Sequence, residues 1–196
     1  MKNAPVLFAA GAAGSLALVA ARPAHALGPI DVEVGAKVGV GSNPAGNNTL
    51  TAVGASNPLG FGLGARGGVS FMGLYGGLDL MYYFGTSASP SVPPGASFAA
   101  SQHALLYGVE GGYSLSLGPL TIRPQVGVGN ATSTVDISGP ASGSASQSNL
   151  YIEPGVTGLV SLAGWFAGAD VNVLFLPGLD HSNAAGTFHG QVGLKF

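Results

Sequence analysis

The chain has 196 residues, a net charge of −2, only 7% charged residues and no cysteine. That composition excludes disulfide frameworks, thiol nucleophiles and Cys-based metal sites, and it offers no basic surface to nucleic acid. Mean hydropathy is +0.42, yet beyond the first segment no apolar run approaches the ~20 residues of a membrane-spanning helix, and 34 glycines and 13 prolines disfavour long helices.

Residues 1–26 read as a secretory signal peptide. Lys2 supplies the positive start, Pro5 to Ala21 the apolar stretch, and Ala24-His25-Ala26 an A-x-A cleavage site. Residues 27–196 are then expected to form one domain, with no cysteine at the cleavage site to mark a lipoprotein.

From there the chain alternates with the side-chain period of a strand. Eight segments are predicted: Ile30 to Val40, Phe61 to Phe71, Leu74 to Phe84, His103 to Leu115, Leu120 to Val128, Leu150 to Val160, Trp165 to Phe175 and Thr187 to Phe196. In each, one face is apolar and the other small or polar. Ten charges lie in these segments: Asp31, Glu33, Lys37, Arg66, Asp79, Glu110, Arg123, Glu153, Asp170 and Lys195. All ten fall on the small or polar face, an arrangement that chance would give about once in a thousand. Strands of about ten residues with a charge-free apolar face suit lipid outside and charges inside. An open sheet would leave unsatisfied edges in lipid, so the sheet must close.

The connections alternate in length. Met72-Gly73, Ser116 to Pro119 and Ser161 to Gly164 are short; 41–60, 85–102, 129–149 and 176–186 are long, as periplasmic turns and extracellular loops are. Residues 42–59, 86–101 and 132–148, rich in Ser, Ala, Gly, Asn and Pro, read as flexible loops. Outward aromatics gather at two levels: Phe71, Tyr113, Trp165 and Phe196 by the short turns, and Phe61, Tyr82, Phe84, Phe175 and Phe188 by the long loops. These predict two interfacial girdles. Pro124 and Pro154 fall inside strands that have no free edge, so a bulge or an early start of pairing is expected there.

The eight alternating strands, the loop parity and the terminal Phe196 resemble the small eight-stranded outer-membrane barrels, the OmpA/OmpX-like group. The resemblance covers Ile30 to Phe196 and departs at Leu194, where many members carry an aromatic. It implies a barrel inserted by the outer-membrane assembly machinery, with Phe196 in its C-terminal signal, and a monomer in the lipid bilayer. It implies no single activity.

If Met72-Gly73 is a two-residue turn, Arg66 lands opposite Asp79. Glu110 and Arg123 are expected as near-diagonal neighbours, and Glu33, Asp170, Gln125, Gln191 and His189 at comparable heights. Paired charges then plug an interior just wide enough for side chains. A narrow path for ions or small solutes is the alternative. Gly62 to Gly67 matches G-x-G-x-x-G, but strand alternation runs through it and no helix follows, so no nucleotide site is expected. Outer-membrane lipid deacylases need a Ser/His/acid group facing lipid; His103 faces outward without an acid, and Asp180-His181 is a sparse loop pair. No enzyme, cofactor or metal is expected. The reading is a structural or surface-interaction barrel, with a membrane-embedded enzyme third.

Overall fold

The computed structural model describes residues 30–42, 57–88, 99–139, 142–177 and 184–196. The signal peptide, most of the first two long connections and the Asp180-His181 pair lie outside them. The strands are β1 (Ile30–Gly41), β2 (Phe61–Phe71), β3 (Leu74–Ala88), β4 (Ala99–Tyr113), β5 (Leu115–Leu117), β6 (Leu120–Ser138), β7 (Gly143–Leu162), β8 (Trp165–Phe175) and β9 (Ala184–Lys195). The short β5 continues β4 in the same register after a break at Ser114, so the wall has eight staves. Every neighbour is antiparallel, and β1 pairs with β9 while β4 pairs with β6, which closes the barrel. Phe196, just beyond β9, exchanges two backbone hydrogen bonds with Val32 at that seam.

The stagger follows from the ladder. Asp31 pairs with Ser70, then come Tyr75, Gly112, Gln125, Gly155, Asn172, Thr187 and finally Gly41, ten residues above the start. Eight strands staggered by ten tilt by roughly 40° and enclose a backbone radius of about 8 Å. Side chains fill such a space.

Two short turns have two residues with positive φ: Met72 (51°) with Gly73 (86°), and Ala163 (51°) with Gly164 (82°). Both are of the I′ kind, whose twist matches that of the flanking strands. The second is tighter than the four-residue connection expected, because β7 runs on to Leu162. In the third, Gly118 (φ 67°) precedes Pro119, with Leu117 paired to Leu120.

Three strand expectations need correction. The segment 129–149 is not a loop: β6 and β7 pair continuously from Leu120↔Val160 to Ile137↔Gly143, and β4 joins them from Ala99↔Ser138. Thr, Val and Ile within Ala131 to Ser138 favour extended backbone, and hydroxyl pairs Thr132–Ser148 (3.1 Å) and Thr134–Ser146 (2.9 Å) tie the ladder. The loop expected at 86–101 is likewise shortened from both ends by β3 and β4.

The prolines make no bulge. The β6–β7 register runs unchanged through Pro124↔Val156 and Val126↔Pro154. Instead the ladder on each proline's other side lapses. Pro124 lies opposite the Ser114 break, and the β7–β8 ladder skips from Ile152 to Gly155. A missing N–H costs little where no partner is offered.

A plugged lumen as the candidate functional site

Period two sends the charged residues inward, and the barrel's stagger decides whom they meet. The predicted Arg66↔Asp79 ladder pair is present, but the ion pairs run elsewhere. Arg66 reaches across to Glu110 (3.1 Å) and Glu33 (3.8 Å) and donates to Gln191 Oε1 (2.7 Å). Asp79 takes Lys37 (2.8 Å), whose ammonium also lies 3.6 Å from Asp170. Glu110 and Arg123 are not diagonal neighbours: Glu110 sits opposite Gly127, four residues from Arg123. Arg123 instead crosses the lumen to grip Glu33 through Nη1 (3.0 Å) and Nη2 (2.8 Å), and its Nε donates to Ser114 Oγ (2.8 Å). Its side chain is 0% exposed.

Both guanidinium groups lie over the Tyr75 ring, Arg123 3.8 Å and Arg66 5.0 Å from its centroid, and its hydroxyl donates to Glu110 (2.6 Å). Nearer the long loops, Asp170 accepts from Asn172 Nδ2 (2.6 Å), Gln191 Nε2 (3.1 Å) and His189 Nδ1 (2.5 Å). His189 Nε2 in turn shares a hydrogen bond with the Tyr83 hydroxyl, so both ring nitrogens are engaged. Glu153 accepts from Thr187 (2.7 Å). Lys195 and Asp31 pair at 2.9 Å at the more exposed mouth beside the short turns.

The inner face is not merely small and polar. Met81, Tyr83, Leu106, Tyr151 and Leu174 point inward and form a buried apolar cluster at the loop end, joined by Leu59. Leu59 is held by Gly41 N–H to its carbonyl and by Asn57 Oδ1 to its amide (3.0 Å). At the other end Phe166 and Leu159 are buried beside the network. The small residues have a specific use: a Cβ at Gly68 or Gly77 would strike the Tyr75 ring, and one at Gly35 or Gly193 would strike Phe166. Large side chains therefore lie over glycines of their own and nearby strands. The signal was in the sequence, in Tyr75, Met81, Tyr83 and Tyr151 on the glycine-bearing face.

Outside, the residues expected as girdles are all exposed: Phe61, Phe71, Tyr82, Phe84, Tyr113, Trp165, Phe175, Phe188 and Phe196. Phe61 stacks on Phe84, and Tyr82 on His103. His103 is not without an acid: Asp136, read as a loop residue, belongs to β6 and lies 3.6 Å from it. Among the described residues no hydroxyl hydrogen-bonds to His103. Among the same residues no group of three or more His, Cys, Asp or Glu forms a metal cluster.

No family model and no curated protein sequence matches this chain. Several solved structures resemble it in fold. A major outer membrane protein from Thermus thermophilus aligns with a TM-score of 0.62 at 12% identity, covering 85% of this chain and 99% of that one. Ail, the attachment invasion locus protein of Yersinia pestis, solved with the heparin analogue sucrose octasulfate, aligns at 0.51 and 13% identity, covering 85% and 97%. With its eight antiparallel staves, stagger of ten and an exterior that is apolar below the His103–Asp136 pair, this chain has the fold of the small eight-stranded outer-membrane β-barrels.

Proposed function

We propose that this protein resides in the outer membrane as a monomeric structural or surface-interaction barrel whose lumen is a plug rather than a path. The observation that carries the reading is the filling of the lumen. Arg123, Glu33, Asp170 and His189 are each at most 1% exposed, and the Tyr83 cluster caps them. An ion crossing this interior would have to break the Arg123–Glu33 and Lys37–Asp79 pairs and then pass an apolar cap, and the resulting barrier resists conduction. Export through the 1–26 signal peptide and insertion by the assembly machinery through the Phe196 end belong to the same proposal.

The surface role is carried by the β4–β6–β7 extension, which stands above the aromatics of the long-loop end. Its exposed face shows Ser, Thr and Asn and the His103–Asp136 pair. A sulfated glycan, the ligand class in the Ail structure, is not favoured. After residue 26 the chain has four cations, Lys37, Arg66, Arg123 and Lys195, and all sit on the lumenal face.

The test is planar-bilayer recording from residues 27–196, with insertion verified by heat-modifiable gel mobility. Silence from the inserted wild type and from Tyr83→Ala is expected, because the charged layer persists beneath the cap. Discrete openings that change with Arg66→Ala would make the interior charges a pathway instead.

A further inference from the structure

The lumen's charges do not balance. Above the Asp31–Lys195 pair, five carboxylates (Glu33, Asp79, Glu110, Glu153, Asp170) share the interior with three cations (Lys37, Arg66, Arg123) and the imidazole of His189, and counting that ring as charged still leaves one anion over. Four of the carboxylates have a cation within 4 Å. Glu153 has none among the described residues. It accepts from the Thr187 hydroxyl, and the two basic groups facing it, Lys37 and His189, are already held by Asp79 and Asp170.

A second, independent observation points to the same place. Asn172 is 3% exposed, and its Nδ2 is spent on Asp170 while its Oδ1 has no hydrogen-bond donor. The oxygen lies directly over Gly155, where a Cβ would overlap it. Gly155 is the next inward position along β7 from Glu153, and Asn172 pairs with both Gly155 and Thr187. A carboxylate without a cation and an orphaned carbonyl oxygen therefore stand on adjacent strands beneath the apolar cap, the amide oxygen seated over a glycine. Thr187, the ladder partner of Asn172, donates to Glu153, so the carboxylate reaches across β8 and both oxygens left there, its second oxygen and Asn172 Oδ1, are acceptors.

We propose that Glu153 and Asn172 Oδ1 hold a monovalent metal cation, sodium or potassium, inside the lumen. Oxygen-only ligands of this kind select hard cations over zinc or copper, and a single carboxylate suits one positive charge. Even a half-buried anion gains from a partner, so the cation acts as an internal strut joining β7 to β8.

Two measurements on the protein purified from membranes test this. Crystals grown with thallium(I) in place of sodium should give an anomalous peak between the Glu153 carboxylate and Asn172 Oδ1, absent in Glu153→Gln and weakened in Asn172→Ala. In detergent, the unfolding midpoint should rise with sodium or potassium chloride relative to N-methylglucamine chloride at equal ionic strength, and Glu153→Gln should abolish the difference. A midpoint indifferent to the cation, or no thallium at the site, would overturn the proposal. So would an infrared carbonyl band of a protonated carboxyl that disappears in Glu153→Gln, since Glu153 would then hold a proton. If Glu153→Gln fails to fold, the wild-type cation response and Asn172→Ala decide alone.

Discussion

Removing Arg123 should cost more than removing any other lumenal side chain. Its guanidinium makes both hydrogen bonds to Glu33, one to Ser114, and a face contact with Tyr75. Arg123→Ala leaves Glu33 1% exposed with only Arg66, 3.8 Å away, to offset its charge. Breaking a buried pair by deleting one partner costs about 3–5 kcal/mol. Because Arg66 can move toward Glu33, the lower end, about 3 kcal/mol, is expected. Replacing both partners with apolar side chains of similar volume removes the stranded charge, so Arg123→Met with Glu33→Leu should lose under about 1.5 kcal/mol. The assay is urea unfolding in lipid vesicles, followed by tryptophan emission and by the folded band in unboiled gels. If Arg123→Ala unfolds within about 0.5 kcal/mol of wild type, or the double variant is worse than the single, Glu33 is not held by charge pairing and the reasoning fails.

Other expectations follow from local geometry. Gly68→Val drives a side chain into the Tyr75 ring and should lower stability by about 1–3 kcal/mol in the same urea assay, with much of the loss recovered in Gly68→Val/Tyr75→Ala. Met72 holds φ 51° in a two-residue turn, so Met72→Asn should raise stability by about 0.5–1 kcal/mol; no gain would mean the turn is not of the I′ kind. Thr134→Pro should break pairing in the extension while sparing the membrane-embedded ladder. The unboiled band should then persist while proteinase K gains cleavage between 131 and 148.

The faces of the strands were legible in the sequence because side-chain period two needs no knowledge of the fold, and the β2–β3 register followed from one tight turn. The partners of the charges were not. Glu33 and Arg123 are 90 residues apart and meet across the lumen, so their pairing depends on the stagger of the closed barrel, which no local pattern encodes. The apolar cap was hidden by the rule that the inner face is small or polar: Leu106 and Leu174 obey the alternation yet break the chemistry. The β6–β7 extension was misread because Ser, Gly and Asn weigh toward loops, whereas paired hydroxyls between Thr132 and Ser148 and between Thr134 and Ser146 turn that composition into a ladder.

The interior also accounts for why one register is chosen. A barrel wall in lipid gains nearly equally from many strand pairings, since its membrane-facing exterior is apolar on every strand. A slip of one residue is forbidden by face: moving β1 so would carry Lys37 into lipid at about 2–4 kcal/mol near the midplane, and Asp31 and Glu33 with it. A slip of two keeps every face correct, and only size can oppose it. Sliding β2 by two against β3 would carry Gly68 away from its place under the Tyr75 ring and bring Arg66 or Ser70 toward it. Tyr75 would then lose the space in which both guanidinium groups lie over it. Each glycine–aromatic contact is thus a register lock, and the charge network fastens what the locks have aligned. The prediction is specific: Gly68→Val/Tyr75→Ala, though better packed than Gly68→Val alone, should refold to more than one species by cysteine cross-linking across β2 and β3, from Val69→Cys to Gly76→Cys. A single cross-linked register in that variant would show that the charges alone suffice.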